Sequence, residues 1–174
     1  VRVVHRLDRP VGGVMVYARS RMADSILSRQ VQTHEFKKEY LAVLEGVPDA
    51  PSGVFVDLLA RDAKEKKTFV TKSPGPDARE ARLSYQLLAV RDGRALVHIR
   101  LETGRTHQIR AQFSARALPL CGDRKYGAAS DGPIGLWSYR LAFVHPQTNE
   151  RLTFTHTPPD SAPWGAFSDI YTQI

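Results

Sequence analysis

Two runs rich in apolar residues, 81–90 and 94–101, are separated only by Arg91 and the dipeptide Asp92-Gly93. A two-residue Asp-Gly connection supplies the positive φ angles that a tight hairpin needs, so this segment commits the chain to antiparallel pairing. Further strand candidates surround it. Residues 38–44 end at Gly46 and Pro48, and residues 54–59 form a second run. Residues 136–144 and 151–154 read as a closing pair around Pro146 and Asn149. The opening Val1-Arg2-Val3-Val4 reads as the end of a strand. After the breaker cluster Arg9-Pro10-Val11-Gly12-Gly13, the run Val14-Met15-Val16-Tyr17-Ala18 reads as a buried strand.

Helices are fewer. Ser20 is placed to cap one that runs to about Thr33, with Ala23, Leu27 and Val31 on one face and Met22 and Ile26 beside them. Thr106 is expected to cap a second helix through about Ala117. Residues 61–67 are charged and expected in solvent, Pro74-Gly75-Pro76 is a loop, and 119–135 reads as a long polar loop. Thr157-Pro158-Pro159 ends the pattern, but Trp164, Phe167 and Tyr171 predict that the tail packs. Strands outnumber helices and hairpin connections dominate. The fold class expected is therefore α+β, a mixed, largely antiparallel sheet with a few flanking helices, in one domain over residues 1–174.

Composition narrows the function classes. At 174 residues, 42% hydrophobic and 25% charged, the chain can bury a core without cross-links. Cys121 is the only cysteine, so no internal disulfide forms and the thiol reads as an inert core group. A reducing compartment, the cytoplasm, is the expected location. No apolar run is long enough to span a bilayer, and no membrane is expected as a partner. Histidines at 5, 34, 98, 107, 145 and 156 lack ligand spacing, and no phosphate loop or nucleophile elbow occurs, so neither metal nor cofactor is expected. Lys+Arg exceed Asp+Glu by 25 to 18, a net charge of +7 that favours a polyanion, nucleic acid first. The chain opens on Val1 and reads as a piece of a longer one. A monomer is expected.

Three constellations could carry chemistry. His5-Arg6-Leu7-Asp8 stands at a strand-to-turn junction, where Arg6 and Asp8 share a face if the strand continues. Read alone, it fits an ion pair beside a turn equally well. The glycines at 12 and 13 admit close approach by a ligand or by another strand. In Thr103-Gly104-Arg105-Thr106-His107-Gln108-Ile109-Arg110, three cationic side chains gather where a helix begins. They oppose the helix dipole, so an anion should answer them: a phosphate or a carboxylate such as Asp8, unless they splay into water. Lys37-Lys38-Glu39-Tyr40 starts a strand, and Tyr40 can stack on a base, move a proton or simply be half-buried structure. Lys64, Lys66 and Lys67 form a weaker basic strip.

Taken in order, these segments resemble the pseudouridine synthases, specifically the RluA-type branch acting on ribosomal and transfer RNA. His-Arg-Leu-Asp is followed by Lys-Lys-x-Tyr and by Thr-Gly-Arg-x-His-Gln-Ile-Arg. Then come Cys121-Gly122-Asp123-Arg124-Lys125-Tyr126-Gly127, similar to the family's Gly-Asp-x-x-Tyr-Gly, and Leu141-x-Phe143-x-His145-Pro146. The resemblance implies the synthase catalytic-domain fold and isomerisation of uridine to pseudouridine without a cofactor. It implies Asp8 as the essential carboxylate acting at C1′ or C2′ of a flipped-out uridine. It also implies Tyr40 as the active-site tyrosine and Arg110 as the ion-pair partner of Asp8. Arg6 would extrude and replace the target base, Arg105 and His107 would lie near the RNA backbone, and Ile109 would cover the base.

Two departures stand out. Val11-Gly12-Gly13 replaces the family's usual Thr-Ser-Gly, and the strands that normally precede the Asp motif, with their Asn-Lys-Pro segment, are missing. The chain is thus expected to be truncated at its N-terminus relative to the family. Two competing readings follow: an RNA-binding module of the same fold without turnover, and a nucleosidase or glycosidase. The second needs two carboxylates in a set geometry, and the motifs supply one Asp among arginines.

Overall fold

The computed structural model describes residues 1–171 and 173–174. The predicted hairpin is its centre. Strand β7 (Arg79–Arg91) turns at Asp92 (φ 50°) and Gly93 (φ 72°) into β8 (Arg94–Leu101). Both turn residues take the positive φ that a primed turn requires.

Around this hairpin the other strands are β4 (Lys37–Glu45), β5 (Ser52–Asp62), β6 (Lys67–Thr71), β9 (Leu136–Val144) and β10 (Arg151–Thr155). They form one antiparallel sheet in the order β10-β9-β4-β8-β7-β5-β6. A short strand β2 (Gly12–Gly13) joins parallel to β9 and makes the sheet mixed. The expected α+β class with a largely antiparallel sheet therefore holds.

Strand β4 explains how the sheet is covered. Its run Tyr40-Leu41-Ala42-Val43-Leu44 is buried throughout, because both faces of this central strand are packed. Tyr40, Ala42 and Leu44 meet Val97, Ile99, Ile109 and Phe113 on one face. Leu41 and Val43 meet Trp164, Phe167 and Tyr171 of the tail on the other, so the tail packs as predicted. Helix α3 (Ser168–Tyr171) closes that side. Helix α1 (Arg21–Gln32) covers the β9 end, with Ser20 Oγ accepting the Ala23 amide as an N-cap, as read from sequence.

Several expectations need correction. Residues 14–18 do not form a buried strand. Only β3 (Tyr17–Ala18) pairs, with β1 (Arg2–Val3), and Tyr17 is exposed. The strip at 61–67 is the solvent-exposed tip of the β5–β6 hairpin, but it leads directly into β6, a strand the sequence pattern did not reveal. The second helix, α2, spans only Gln108–Ser114, and Thr106 does not cap it. His107 occupies that position in a left-handed conformation (φ 53°). The capping pattern failed because Gln108 does the work instead: its Oε1 accepts the Arg105 amide and the Thr103 hydroxyl, and its Nε2 donates to the Arg82 carbonyl. Finally, 119–135 is not uniformly polar loop. It holds a 3-10 turn at Arg124–Tyr126, and Asp123 and Tyr126 are buried. No helix among the described residues is long and apolar enough to cross a membrane.

Candidate active site

Past β1 the chain runs irregularly through His5-Arg6-Leu7-Asp8, so the shared strand face anticipated for Arg6 and Asp8 does not exist. A turn places Asp8 instead. The Val11 amide donates to the Asp8 carbonyl at 2.8 Å, and β2 then locks against β9. The Val14 amide donates to the Ser138 carbonyl, and Ser138 Oγ donates back to the Val14 carbonyl, both at 2.9 Å. The two glycines are what permit this. A Cβ on Gly13 would overlap the Ser138 backbone, and one on Gly12 would overlap the Trp137 ring. The close approach at this pair is thus made by a strand, not a ligand.

Arg110, on the buried α2, is the centre of charge. Its Nε and one terminal nitrogen each donate to a different Asp123 oxygen at 2.8 Å, and its other terminal nitrogen reaches Asp8 Oδ2 at 3.2 Å. The paired side chains differ in access: Arg110 is 6% exposed, Asp123 2% and Asp8 23%. Burial alone would lower the Arg110 guanidinium, but its bonds to the two carboxylates outweigh this and hold it above its ordinary value. The anion that the sequence demanded here is therefore carboxylate. Asp123 clamps the arginine from the interior by a two-pronged contact, and the arginine orients the more accessible Asp8 toward the cleft. The Tyr126 ring supports the guanidinium 4.8 Å away.

His107 is tied into the same support. Tyr126 Oη accepts the Thr68 amide at 2.8 Å and lies 2.8 Å from His107 Nδ1. Burial lowers the His107 pKa and Arg110 and Lys125 add to this, with Asp8 opposing, so the ring is neutral at physiological pH.

These groups open onto a cleft of about 550 Å³ lined by His5, Arg6, Asp8, Lys38, Tyr40 and His107, among others. Arg105, Ile109 and Arg110 line it too, so the seven residues that the resemblance marks as catalytic or substrate-binding meet at one place, whereas the basic strip of Lys64, Lys66 and Lys67 does not line it. Arg6, Arg9, Arg61 and Arg105 are exposed at this cleft. Tyr40 forms part of its buried floor, where burial pushes the phenol up to about 12, with hydrogen bonding to Ser138 opposing and Asp8 reinforcing. His5 is pushed down to about 4 by burial and by neighbouring Lys38. No group of three or more His, Cys, Asp or Glu side chains gathers into a metal-ligand set among the described residues.

Two parts of the site were missed by residue-level reading: Asp123 and Tyr126. The signal was present in Cys121-Gly122-Asp123-Arg124-Lys125-Tyr126-Gly127, but nothing in the order of residues ties that stretch to Arg110. An arginine-oriented carboxylate in a cation-rimmed cleft can hold an anionic polymer and present one oxygen to an electron-poor carbon of a bound unit.

The fold itself has solved counterparts. The chain superposes on human RNA Pseudouridylate Synthase Domain Containing 1 with a TM-score of 0.78 at 24% identity, covering 93% of this chain and 70% of that one. At that identity the likeness defines the fold. The sequence defines the family: residues 1–115 match the family described as RNA pseudouridylate synthase, and the chain belongs to it. An uncharacterized RNA pseudouridine synthase of Bacillus subtilis is 36% identical over 167 residues, covering 91% of this chain and 55% of the relative. Ribosomal large subunit pseudouridine synthase D of Nitrosomonas europaea is 32% identical over 175 residues, covering 91% and 48%. The chain thus spans about half the length of these curated relatives.

Proposed function

We propose that residues 1–174 act as one catalytic domain of an RNA pseudouridine synthase of the RluA-type branch, isomerising a uridine of ribosomal or transfer RNA in a reducing compartment, the cytoplasm. The observation that carries this reading is the Asp8–Arg110–Asp123 arrangement at the base of the cleft, in a chain of this family. The ribosomal substrate named for the Nitrosomonas relative favours the first RNA class.

In this reading a stacked uridine is flipped into the cleft, at a cost of a few kcal/mol. The exposed Arg6 fills the space left in the RNA. Arg105 holds the backbone at the rim. Its Nε is already committed to the Glu80 carbonyl at 2.9 Å, which fixes the guanidinium for a phosphate. Breaking the C1′–N1 bond builds positive charge at C1′, and Asp8 acts there, as nucleophile at C1′ or as base at C2′. Arg110 keeps its oxygen aimed. Uracil then turns, C5 bonds to C1′ and the C5 proton leaves. Ile109, buried against Tyr40 in the core cluster, keeps water from the sugar. With a pKa near 12 Tyr40 stays protonated at neutral pH, which fits a platform under the base better than a free base. His107, half-buried and bonded to Tyr126, meets the substrate from the cleft wall rather than from the rim.

The test uses total RNA from cells that lack pseudouridine, with product mapped by mass spectrometry. The wild-type chain is expected to form pseudouridine at a defined site. Asp8→Asn should lower the rate by at least about 10³-fold and leave RNA affinity within a few-fold. Undiminished activity in that variant would overturn the role of Asp8. Salt-sensitive RNA binding with no product from the wild type would make the chain a binding module. Released uracil would make it a nucleosidase.

A further inference from the structure

Lys38 is a cation without a partner in the place where partners matter most. It stands two residues before Tyr40 on β4, in an unbroken ladder with β8 (Lys38 opposite Leu101, Tyr40 opposite Ile99). Side chains two apart on a strand share a face, so Lys38 lies beside Tyr40 on the cleft side, and both line the cleft with Asp8. It is half-buried, and burial pushes its ammonium below the ordinary lysine value. It makes no hydrogen bond and no ion pair among the described residues. Lysines are rarely held this way, because desolvating an ammonium without a compensating bond is costly.

The ammonium lies against the Gly104 backbone, 2.5 Å from where a Cβ at that residue would fall. The neighbouring His5 is neutral, its Nε2 accepting the Val16 amide at 3.2 Å. The site's two carboxylates are engaged by Arg110. In the synthase reading the exposed arginines of the cleft answer the RNA phosphates, and Lys38 shares its strand face with Tyr40, the platform under the base.

We propose that Lys38 Nζ binds a carbonyl oxygen of the target uracil and stabilises the uracil anion while it is detached. The inference rests on the synthase reading above. When the C1′–N1 bond breaks, its electron pair leaves with N1 and spreads over O2 and O4. An ammonium donating to one of those oxygens stabilises the detached ring more than the intact base, and it gives up no proton. The ring then turns, C5 bonds to C1′, and the C5 proton passes to another base. This holds whether Asp8 attacks C1′ or deprotonates C2′, because uracil departs as an anion in both. Lys38 thus acts as a preorganised donor aimed at charge that develops during reaction.

Two variants of the full chain test this. Lys38→Met keeps the length and removes the charge. It should lower the single-turnover rate on RNA by about 10²-fold or more with RNA Kd unchanged within threefold. Lys38→Arg should recover part of that rate. A Lys38→Met rate within threefold of wild type overturns the assignment, as does a loss confined to Kd, which would make Lys38 a phosphate contact. A second measurement needs no turnover. In chain labelled at the lysine ε-carbons, NMR should show the Lys38 signal moving more with 5-fluorouracil, the more readily ionised base, than with uracil. A Lys38 signal indifferent to both overturns the proposal. A wild-type chain that forms no pseudouridine overturns the functional reading instead, and the 5-fluorouracil titration still decides Lys38.

Discussion

At the scale of single residues, the site is governed by what burial does to charge. Arg110 is kept charged in the interior because Asp123 and Asp8 together satisfy it. His5 shows the opposite outcome. Its Nε2 accepts the Val16 amide and its buried Nδ1 has no partner, so protonation would set an N–H against an N–H. Burial, reinforced by the neighbouring Lys38 charge, lowers its pKa from 6.5 to about 4. Between those values the unfolded chain takes up a proton that the folded chain refuses, so stability present above pH 6.5 is lost as pH falls toward 4. Between pH 7 and pH 4.5 this histidine should cost the wild type about 2–3 kcal/mol. His5→Gln should remove that part of the pH dependence, as read by urea unfolding at the two pH values. An equal slope in both proteins would show that His5 is not the group responsible.

At the scale of elements, the decisive contact is β2 against β9. Gly13 has φ +119° and lies on the Ser138 backbone, and the same short strand anchors the turn that carries Asp8. Gly13→Ala should therefore cost about 3 kcal/mol or more, from overpacking and from a φ that alanine resists. For a chain of this size that lowers Tm by roughly 6–12 °C, measurable by calorimetry. Loss of synthase activity should accompany it even where the fold survives, because Asp8 is displaced. Helix α2 teaches a related lesson. Its first six residues are all buried, so no amphipathic stripe marks it, and packing rather than propensity sets its ends.

At the scale of the whole molecule, the charge of +7 is useful only where it is concentrated. Four exposed arginines border the cleft. If each neutralises one RNA phosphate, the slope of log Kd-derived affinity against log salt should be about −3. Filter binding at several salt concentrations measures it. Arg105→Gln should flatten the slope by about 0.7, whereas Asp8→Asn should leave it unchanged. A slope near zero would place RNA elsewhere on the surface or remove it altogether. Outside the cleft lining lies a separate network, with Glu39 bonded to His98 at 2.7 Å and Arg140 3.6 Å from the same carboxylate.

Some of this was written in the residue order and some was not. The hairpin at Asp92-Gly93, the Ser20 cap, the strand over 38–44 and the pairing of Asp8 with Arg110 were legible, because turn chemistry, caps and periodicity act over a few residues and the motifs mark the rest. The sequence by itself thus determined an antiparallel α+β sheet and the set of residues around one carboxylate. Only the tertiary structure decided that Asp123 clamps Arg110, that Tyr126 joins His107 to Thr68, that Gly13 accommodates Ser138, and that Lys38 stands unpaired on the cleft floor. Those contacts join residues far apart along the chain, and their energies come from burial and desolvation. Both exist only once the sheet has closed and excluded water.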